Sequence, residues 1–359
     1  MLIIYMLKFA TFNILHTSYI HYNTGECKKS WPISYKDEHF RNSIILKLFY
    51  NNDFDIIYLQ EVSPIFIELL IKSELKTKYE ILSNNELVIL CKKSIVSKIE
   101  EIDIDSYIDI KYNSYHFIKE RLYGIKCNIL NNPFLLINVH MPSSQLQIEK
   151  NDVIKIINNI VVYNLNNSQD YKVIIAGDMN TEKYLFSKMT NRYTMSSIFN
   201  SNFKKSNVTS FKLGKCKNNI FVALDHKFRH HFIDDIYVTQ NINANNMKIL
   251  SNYTDKFLLF NNKEINNSLK GDPYCDPKIY KETNVCNIDD TKNKFTNTFV
   301  KAHSNNNNVW PSDHYLVYAE LNFDDAKTNN GSISNNDKIK EILMMISLLH
   351  LQKKILNIQ

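Results

Sequence analysis

Eight polar or charged side chains stand at the ends of apolar runs with the composition of β-strands. An acid beside an amide can activate a water and hold a phosphate oxygen, and a histidine partnered by a carboxylate suits phosphoryl transfer. Rigid sheets commonly position binding and catalytic residues on the loops that follow their strands. We therefore expect these side chains to converge on one pocket. They are Asn13, Glu61, His140, Asp178, Asn180, Asp234, Asp313 and His314.

Two short motifs carry the most informative spacing. In G-D-M-N at 177–180, the acid and the amide are two residues apart, so both side chains point the same way if the segment is extended. In W-P-S-D-H at 310–314, an acid stands directly beside a histidine. Each motif taken alone is also typical of an ordinary turn, so the argument depends on the whole set.

Hydrophobic periodicity indicates the elements that must position these residues. Helical spacing predicts helices at 36–50 and 144–165, and Ser63 followed by Pro64 predicts another helix start, an N-cap before proline. β-Branched and aromatic runs predict strands at 8–14, 55–61, 86–91, 117–129, 133–139, 172–176, 233–239 and 316–321. Strands and helices thus alternate along the chain, as in α/β proteins.

Composition excludes several classes of protein. The chain has 359 residues, of which 44% are hydrophobic and 12% aromatic, so it can bury a core and is neither disordered nor fibrous. Only 6 glycines are present, which argues against a glycine-rich phosphate loop. The net charge of +6 is compatible with a polyanionic partner without requiring one. No two cysteines form a C-x-x-C pair, so a zinc or redox motif has no support.

The rhythm of apolar runs predicts one large domain at 1–322 with a C-terminal extension. Residues 240–308 are rich in Asn, Lys and Thr, and we interpret them as a surface insertion. Residues 323–336 are polar and predict a linker, and 337–359 predict an amphipathic helix that docks on the domain, binds a protein partner or touches a membrane surface. No stretch approaches the ~20 apolar residues that span a bilayer, and we expect an intracellular, cytoplasmic protein.

Six motifs in one order resemble the endonuclease/exonuclease/phosphatase superfamily, the group of DNase I and the abasic-site endonucleases. The resemblance covers roughly residues 7–239 and 308–322. It implies an α/β (α+β) fold, a DNase I-like four-layer sandwich of two mixed β-sheets flanked by helices, and hydrolysis that uses Mg²⁺ or Mn²⁺. The motifs are T-F-N-I-L at 11–15, L-Q-E-V at 59–62, I-N-V-H at 137–140, G-D-M-N at 177–180, I-D-D-I-Y at 233–237 and S-D-H at 312–314.

Within that superfamily, further segments resemble the carbon-catabolite-repressor-type deadenylases and their relatives nocturnin and 2′-phosphodiesterase. These are N-I-L at 13–15, the helix that holds Arg41, D-I-I-Y-L-Q-E-V at 55–62, and T-S-F-K at 209–212. Tyrosyl-DNA phosphodiesterases share L-Q-E-V and S-D-H but lack the W-x-x-R helix of the deadenylases, which the helix of Arg41 resembles. One departure is Asp235, an acid where these families carry an aromatic residue.

The resemblance implies a role for each candidate residue. Glu61 is the expected principal metal ligand, because a hard cation prefers carboxylate oxygen, and Asn13 and Asp313 support it. His314, oriented by Asp234, is expected to face the scissile phosphate as a base or as an imidazolium. Asp178 is expected to orient or deprotonate the attacking water, and Asn180 and His140 to donate to phosphate oxygens. Apart from the resemblance, Phe211 and Lys212 are our candidates for contacting a base or a neighbouring phosphate, because an aromatic ring and a cation suit single-stranded RNA.

The activity implied is a Mg²⁺-dependent 3′→5′ exoribonuclease, a deadenylase that releases 5′-AMP from single-stranded poly(A) RNA. The same chemistry could instead act on a nucleotide 2′-phosphate, a 2′–5′ oligoadenylate, or a DNA end of the tyrosyl-DNA type. A catalytically silent nucleic-acid-binding scaffold is the alternative of another class. The sequence leaves open whether one metal ion or two take part.

Overall fold

A computed structural model describes two β-sheets and the helices that cover them. It describes residues 6–19, 38–108, 118–142, 146–167, 171–181, 183–186, 194–200, 204, 209–212, 214–217, 220–223, 229–250, 312 and 314–323. Those at 40, 147 and between 211 and 231 are described by their backbone alone. The predicted linker at 323–336 lies outside the described residues except for Phe323, which ends a strand, and the predicted helix at 337–359 lies wholly outside them.

The strands of the first sheet, sheet A, are β1 Met6–Asn13, β2 Ile56–Gln60, β3 Tyr79–Asn84, β4 Leu87–Lys92, β15 Ile242–Leu250 and β16 Leu316–Phe323. Those of the second, sheet B, are β5 Val96–Glu101, β6 Leu122–Ile129, β7 Asn132–His140, β8 Lys172–Asp178, β9 Met195–Ser197 and β14 Asp234–Thr239. Two short antiparallel pairs of strands lie outside these sheets. They are β10 Ser210–Lys212 with β13 Arg229–His231, and β11 Gly214–Lys217 with β12 Ile220–Ala223. The helices are α1 Glu38–Asn52, α2 Pro64–Lys72, α3 Leu75–Lys78 and α4 Gln147–Asn167.

Each six-stranded sheet is mixed and contains one parallel pair near its centre. Sheet A has the order β15-β16-β1-β2-β4-β3, in which β1 and β2 are parallel. Sheet B has the order β5-β6-β7-β8-β14-β9, in which β7 and β8 are parallel. Because the carboxyl ends of parallel neighbours meet at one edge, each sheet delivers two strand ends to the same end of the sandwich.

The core forms three apolar layers, which confirms the predicted four-layer sandwich. Side chains alternate between the two faces of a strand, so each sheet packs on its partner sheet and on its own helices. Between the sheets lie residues such as Phe9, Ile89 and Ile174. The outer face of sheet A packs on α1 and α2 through residues such as Phe49 and Phe66, and that of sheet B packs on α4.

The structure corrects the predicted insertion at 240–308. Residues 242–250 form β15, the edge strand of sheet A, paired with β16 with an irregularity between Asn245 and Lys248. Only one face of an edge strand meets the core, so the exposed face carries the Asn and Lys residues that made the segment look like a loop. Residues 251–308 lie outside the described part of the chain.

Other predicted elements agree closely with the structure. Helix α2 begins as predicted, because the Ser63 side chain accepts from the backbone N–H of Phe66 and Pro64 follows the cap. Three edge strands, β3, β5 and β9, have no counterpart among the predicted elements. Within the described residues, no helix combines the length and the apolar composition that crossing a bilayer requires.

Candidate active site

The strand register places the predicted polar residues at one end of the sandwich. In sheet A, Asn13 pairs with Gln60, so Glu61 is the first residue beyond β2. In sheet B, Asp178 pairs with His140 on one side and with Asp234 on the other. The two sheets pack face to face, and five of the eight candidates therefore meet through regular strand geometry.

Asn13 joins the two sheets at this end. Its buried Nδ2 donates to Glu61 Oε1 at 2.9 Å and to Asp178 Oδ2 at 3.1 Å. Glu61 accepts a further hydrogen bond from the backbone N–H of His16 at 3.3 Å, and its side chain remains 14% exposed. The Asn13 amide thus fixes two carboxylates on opposite sheets, and Glu61 is the more exposed of the two.

The loop after β1 is held rigidly beside Glu61. Arg41 is buried, and its Nη1 donates to the carbonyl oxygens of Ile14 and Leu15 at 3.0 and 2.7 Å. Leu15 has a φ of 60°, a left-handed conformation, and its N–H donates to Asn13 Oδ1 at 3.0 Å. Arg41 therefore supports the loop beside Glu61 through backbone carbonyls.

His314 and Asp234 form a buried pair. The Nδ1 of His314 lies 2.8 Å from Asp234 Oδ2, and its Nε2 lies 3.7 Å from Asp178 Oδ2. A carboxylate on Nδ1 requires a proton there, and this hydrogen bond fixes the ring orientation. Ser312 supports the segment, since its Oγ donates to the Asn13 carbonyl at 2.7 Å and accepts from the N–H of His314 at 3.1 Å.

Thr209 connects the strand that bears Asp234 to the segment that bears His314. Its Oγ1 accepts from the N–H groups of Ile233 and Asp234 at 2.9 and 3.1 Å. Its carbonyl accepts from the N–H of Tyr315 at 2.8 Å. The T-S-F-K segment thus enters the site through the side-chain hydroxyl and the carbonyl oxygen of its first residue.

His140 lies beside a cation, whereas His314 lies beside a carboxylate. Its Nδ1 lies 2.9 Å from Arg121 Nη1, so we assign Nδ1 as an acceptor and Nε2 as the protonated nitrogen. That Nε2 lies 3.5 Å from Glu61 Oε1 and 3.8 Å from Asp178 Oδ2. Burial, followed by the charge of Arg121, holds the pKa of His140 well below its usual range. His140 is thus a neutral donor.

Arg121 was missed by sequence reasoning. It precedes β6, which runs antiparallel to β7, and its carbonyl accepts from the N–H of His140 at 3.0 Å. Only the pairing of these two strands brings the start of one beside the end of the other. The residue stands 19 positions before His140, and nothing in that spacing indicates contact.

The G-D-M-N segment is a turn beyond its acid, which corrects the expectation that 178 and 180 share one face of an extended strand. β8 ends at Asp178, and Asn180 adopts a φ of 47°. The N–H of Asn180 donates to Asp178 Oδ1 at 2.8 Å, while its Nδ2 donates to the Met141 carbonyl at 2.8 Å. Lys150 supports the turn from α4, donating to the Asn180 carbonyl at 3.0 Å.

Gly177 is required by the close approach of β7 and β8. Its φ is 146°, and a Cβ at this position would lie 1.8 Å from the carbonyl oxygen of Val139. No side chain fits there without separating the strands. The glycine of the motif therefore holds Asp178 and His140 in register.

Burial close to another acid shifts the pKa of Asp178. Burial, and the neighbouring charge of Asp234, raise the pKa of Asp178 to about 6, although His314 opposes the shift. Two sets of side chains have ligand atoms within 4.8 Å of one another and could hold a metal ion: Glu61, His140 and Asp178, and also Asp178, Asp234 and His314. The carboxylate oxygens of Glu61 and Asp178 are ligands that hard divalent cations prefer, whereas Asn13 turns its Nδ2 toward both carboxylates and its Oδ1 toward the Leu15 N–H.

Three candidates are not placed by the structure. Asp313 lies outside the described residues. Phe211 and Lys212 belong to β10, whose backbone pairs with β13, and their side chains are outside the described part. Their predicted roles in metal and substrate binding stay predictions.

The fold resembles several solved structures, although no protein-family profile and no curated protein matches the sequence. D. rerio TDP2 complexed with single strand DNA product is 13% identical, with a TM-score of 0.53 over 88% of this chain and 99% of that chain. TDP2 from C. elegans is 14% identical, with a TM-score of 0.54 over 89% of this chain and 75% of that one. An endonuclease/exonuclease/phosphatase family protein from Bacteroides thetaiotaomicron is 12% identical, with a TM-score of 0.51 over 89% and 99%. At such identities the similarity establishes the fold alone.

Proposed function

We propose, starting from this endonuclease/exonuclease/phosphatase fold, that the chain is a divalent-metal-dependent phosphodiesterase. The observation that carries the proposal is the network around Asn13, which links Glu61 to Asp178 beside two buried histidines. One histidine is held by a carboxylate and the other by a guanidinium. A site of this kind can move a proton and donate a hydrogen bond at the same phosphate.

Each residue has a role that its contacts support. Asp178 would accept the proton of an attacking water, because burial gives it a pKa near that of a neutral-pH base. His314, oriented by Asp234, would face the phosphate through Nε2, and His140 would donate to a phosphate oxygen from its own Nε2. A Mg²⁺ or Mn²⁺ ion held by Glu61, with Asn13 and Asp313, would neutralise charge that develops on the phosphoryl oxygens.

Single-stranded RNA is the proposed substrate, with poly(A) cut from its 3′ end to release 5′-AMP. The T-S-F-K segment supports this choice by its resemblance to deadenylases, and a net charge of +6 is compatible with a polyanion. In T-S-F-K an aromatic and a lysine stand side by side, a pair that suits stacking on an unpaired base. DNA is the second candidate, because a structural neighbour is described with a single-strand DNA product.

Product analysis on the purified chain with Mg²⁺ tests both candidates. The substrates are 5′-labelled poly(A), poly(U), a mixed RNA, a DNA oligonucleotide, a 5′-tyrosyl DNA end, a 2′–5′ oligoadenylate and a 2′-phosphorylated dinucleotide. The matched control is Glu61→Gln, which keeps the size of the side chain and removes the charge that a cation requires. EDTA treatment followed by Mn²⁺ addition tests the metal separately.

A descending ladder on poly(A), absent from the Glu61→Gln protein, would support the deadenylase. Tyrosine release from the DNA end without turnover of RNA would move the proposal to DNA ends. Phosphate release from the dinucleotide alone would identify a 2′-phosphatase. Silence on every substrate with either metal would contradict catalysis and favour the binding scaffold.

A further inference from the structure

Lys204 is a buried lysine held among aromatic rings at the edge of sheet B. Its side chain is 8% exposed, and its ammonium forms an ion pair with Asp235, which is 3% exposed. The same Nζ lies 4.4 Å from the ring centre of Tyr184, 5.5 Å from that of Phe232 and 5.9 Å from that of Tyr237. A cation desolvated among aromatic faces has a fixed position, because charge and ring geometry both constrain it.

Asp235 adjoins a residue of the candidate site. Side chains alternate along β14, so Asp234 faces the layer between the sheets, where His314 lies, and Asp235 faces the opposite layer. Besides Lys204, Asp235 Oδ1 accepts from Ser197 Oγ at 2.7 Å and from the N–H of Ile236 at 2.8 Å. The first two residues of β14 are therefore held from both faces.

The rings of Tyr184, Phe232 and Tyr237 form an aromatic cage around the Lys204 ammonium, and this cage joins three segments of chain. Tyr184 OH donates to the Phe199 carbonyl at 3.3 Å, and the rings of Phe199 and Phe232 pack edge to face at 5.1 Å. The backbone N–H of Lys204 donates to the Asn200 carbonyl at 3.1 Å. The cage thus connects the chain that follows Asn180 to the chain that leads into Asp234.

We propose that Lys204 and Asp235 are positioning residues for the hydrolysis proposed above, which fix the start of β14 and, through it, the Asp234 carboxylate that orients His314. The inference rests on the proposed function. A contribution to stability is not a sufficient reason for the pair, because well-packed apolar residues of similar size often stabilise a core as well as a buried ion pair does. A misplacement of about 1 Å at a reacting group is enough to slow a reaction about a hundredfold.

The test replaces the pair while keeping the core filled. Lys204→Met with Asp235→Leu removes both charges at nearly constant volume. Asp235→Asn keeps an acceptor oxygen for Lys204 and offers an amide N–H to Ser197 Oγ, and its foldability has a precedent, since buried Lys172 donates to Asn132 Oδ1 at 2.9 Å. Lys172→Met with Asn132→Leu is the matched control, at the opposite end of β7 and β8, where Lys172 likewise lies over a ring, that of Phe323.

We expect the Lys204→Met/Asp235→Leu protein to melt within a few degrees of wild type and to show a kcat about ten- to a hundredfold lower, with KM little changed. Asp235→Asn should keep kcat within about threefold, and the control should leave it unchanged. Equal kcat in the stable double variant and wild type would overturn the proposal. So would an equal loss in the control, or a loss in Asp235→Asn as large as in the double variant.

A readout independent of turnover separates this proposal from the proposed function. In protein with ¹⁵N-labelled histidine, the Nδ1 proton of His314 should give a low-field resonance, assigned by its loss in His314→Gln. The resonance should shift or vanish in the Lys204→Met/Asp235→Leu protein and persist in Asp235→Asn and in the control. An unmoved resonance in the double variant would contradict the positioning role, whether or not wild type hydrolyses any substrate.

Discussion

The two ends of the β-sandwich hold buried charged groups in opposite arrangements. At the end where β1, β2, β7 and β8 finish, carboxylates crowd together and Arg121 lies against His140. At the other end Asp55 and Lys172 each have a hydrogen-bond partner. Asp55 accepts from Lys92 Nζ at 3.1 Å and from the N–H of Lys8 at 2.9 Å. Lys172 donates to Asn132.

This contrast predicts that different residues determine the stability and the activity of the protein. Like charges that are buried together disfavour the folded state, whereas a partnered buried charge is costly only when its partner is removed. We therefore expect substitutions at the crowded end to lower activity without lowering stability. Substitutions at the partnered end should do the reverse.

The largest expected effect is on turnover, from Glu61→Gln at the crowded end. Loss of the charge should lower kcat by on the order of 10³-fold or more, about 4 kcal/mol of transition-state stabilisation. The melting temperature should stay the same or rise, because one of the clustered carboxylates becomes neutral. Product formation and a thermal melt on the same preparation check both parts. A clear fall in melting temperature would break the comparison.

At the partnered end, Asp55→Ala should lower the free energy of unfolding by about 1–3 kcal/mol, because the Lys8 N–H loses a buried acceptor while Lys92 keeps Asp53 as an ion-pair partner. Turnover per folded molecule should not change, since the residue precedes β2 at the far end from the site. Urea denaturation monitored by tryptophan fluorescence, with kcat measured well below the transition, checks it. A parallel loss of kcat would show that the two ends are coupled.

Asp178→Asn tests the comparison through the pH dependence of the free energy of unfolding. In metal-free protein, folded Asp178 keeps its proton up to about pH 6, whereas the unfolded chain releases it near pH 3.9. Wild type should therefore lose stability relative to the variant as the pH rises from about 4 to about 6, by about 1–3 kcal/mol in total, with a constant difference above. Urea titrations of both proteins across this range measure the effect. Parallel curves would contradict it.

The smallest effect concerns the tautomer of His140. Arg121→Gln removes the cation from Nδ1 but keeps a polar side chain. The pKa of His140 should then rise only part of the way toward its ordinary value, because burial is the larger cause of its depression. Histidine ¹⁵N shifts followed through a pH titration report both the tautomer and the pKa. A wild-type His140 protonated at Nδ1 at neutral pH would refute the assignment.

Local sequence patterns predicted the elements whose residues are buried or capped. Ser63 with Pro64 identified the start of α2, and the apolar runs of β1, β2, β7 and β8 located the strand ends that hold Asn13, Glu61, His140 and Asp178. Burial on both faces makes such strands continuous hydrophobic runs, which a single sequence displays directly. The edge strands β3, β5 and β15 escaped because half of their side chains face solvent.

Local sequence patterns could not predict contacts between segments that are distant along the chain. Arg121 meets His140 only because β6 and β7 are antiparallel neighbours, and Lys204 meets Asp235 across 31 residues. The left-handed turn at Asn180 was also missed, because an isolated G-D-x-N is compatible with either a strand end or a turn. The resemblance to a known superfamily supplied the order of the motifs, and the geometry supplied the partners of each side chain.

The hydrogen bond from Ser312 to the Asn13 carbonyl joins residues 299 positions apart, and β16 completes sheet A against β1. The ribosome therefore makes most of this chain before its first strand meets its last, and a growing polypeptide without residues 312–323 lacks both the support of Asn13 and the imidazole of His314. Contacts so distant along the chain also form slowly. The hydrolytic activity proposed above would therefore arise only when the sandwich is complete, and not in copies still in synthesis.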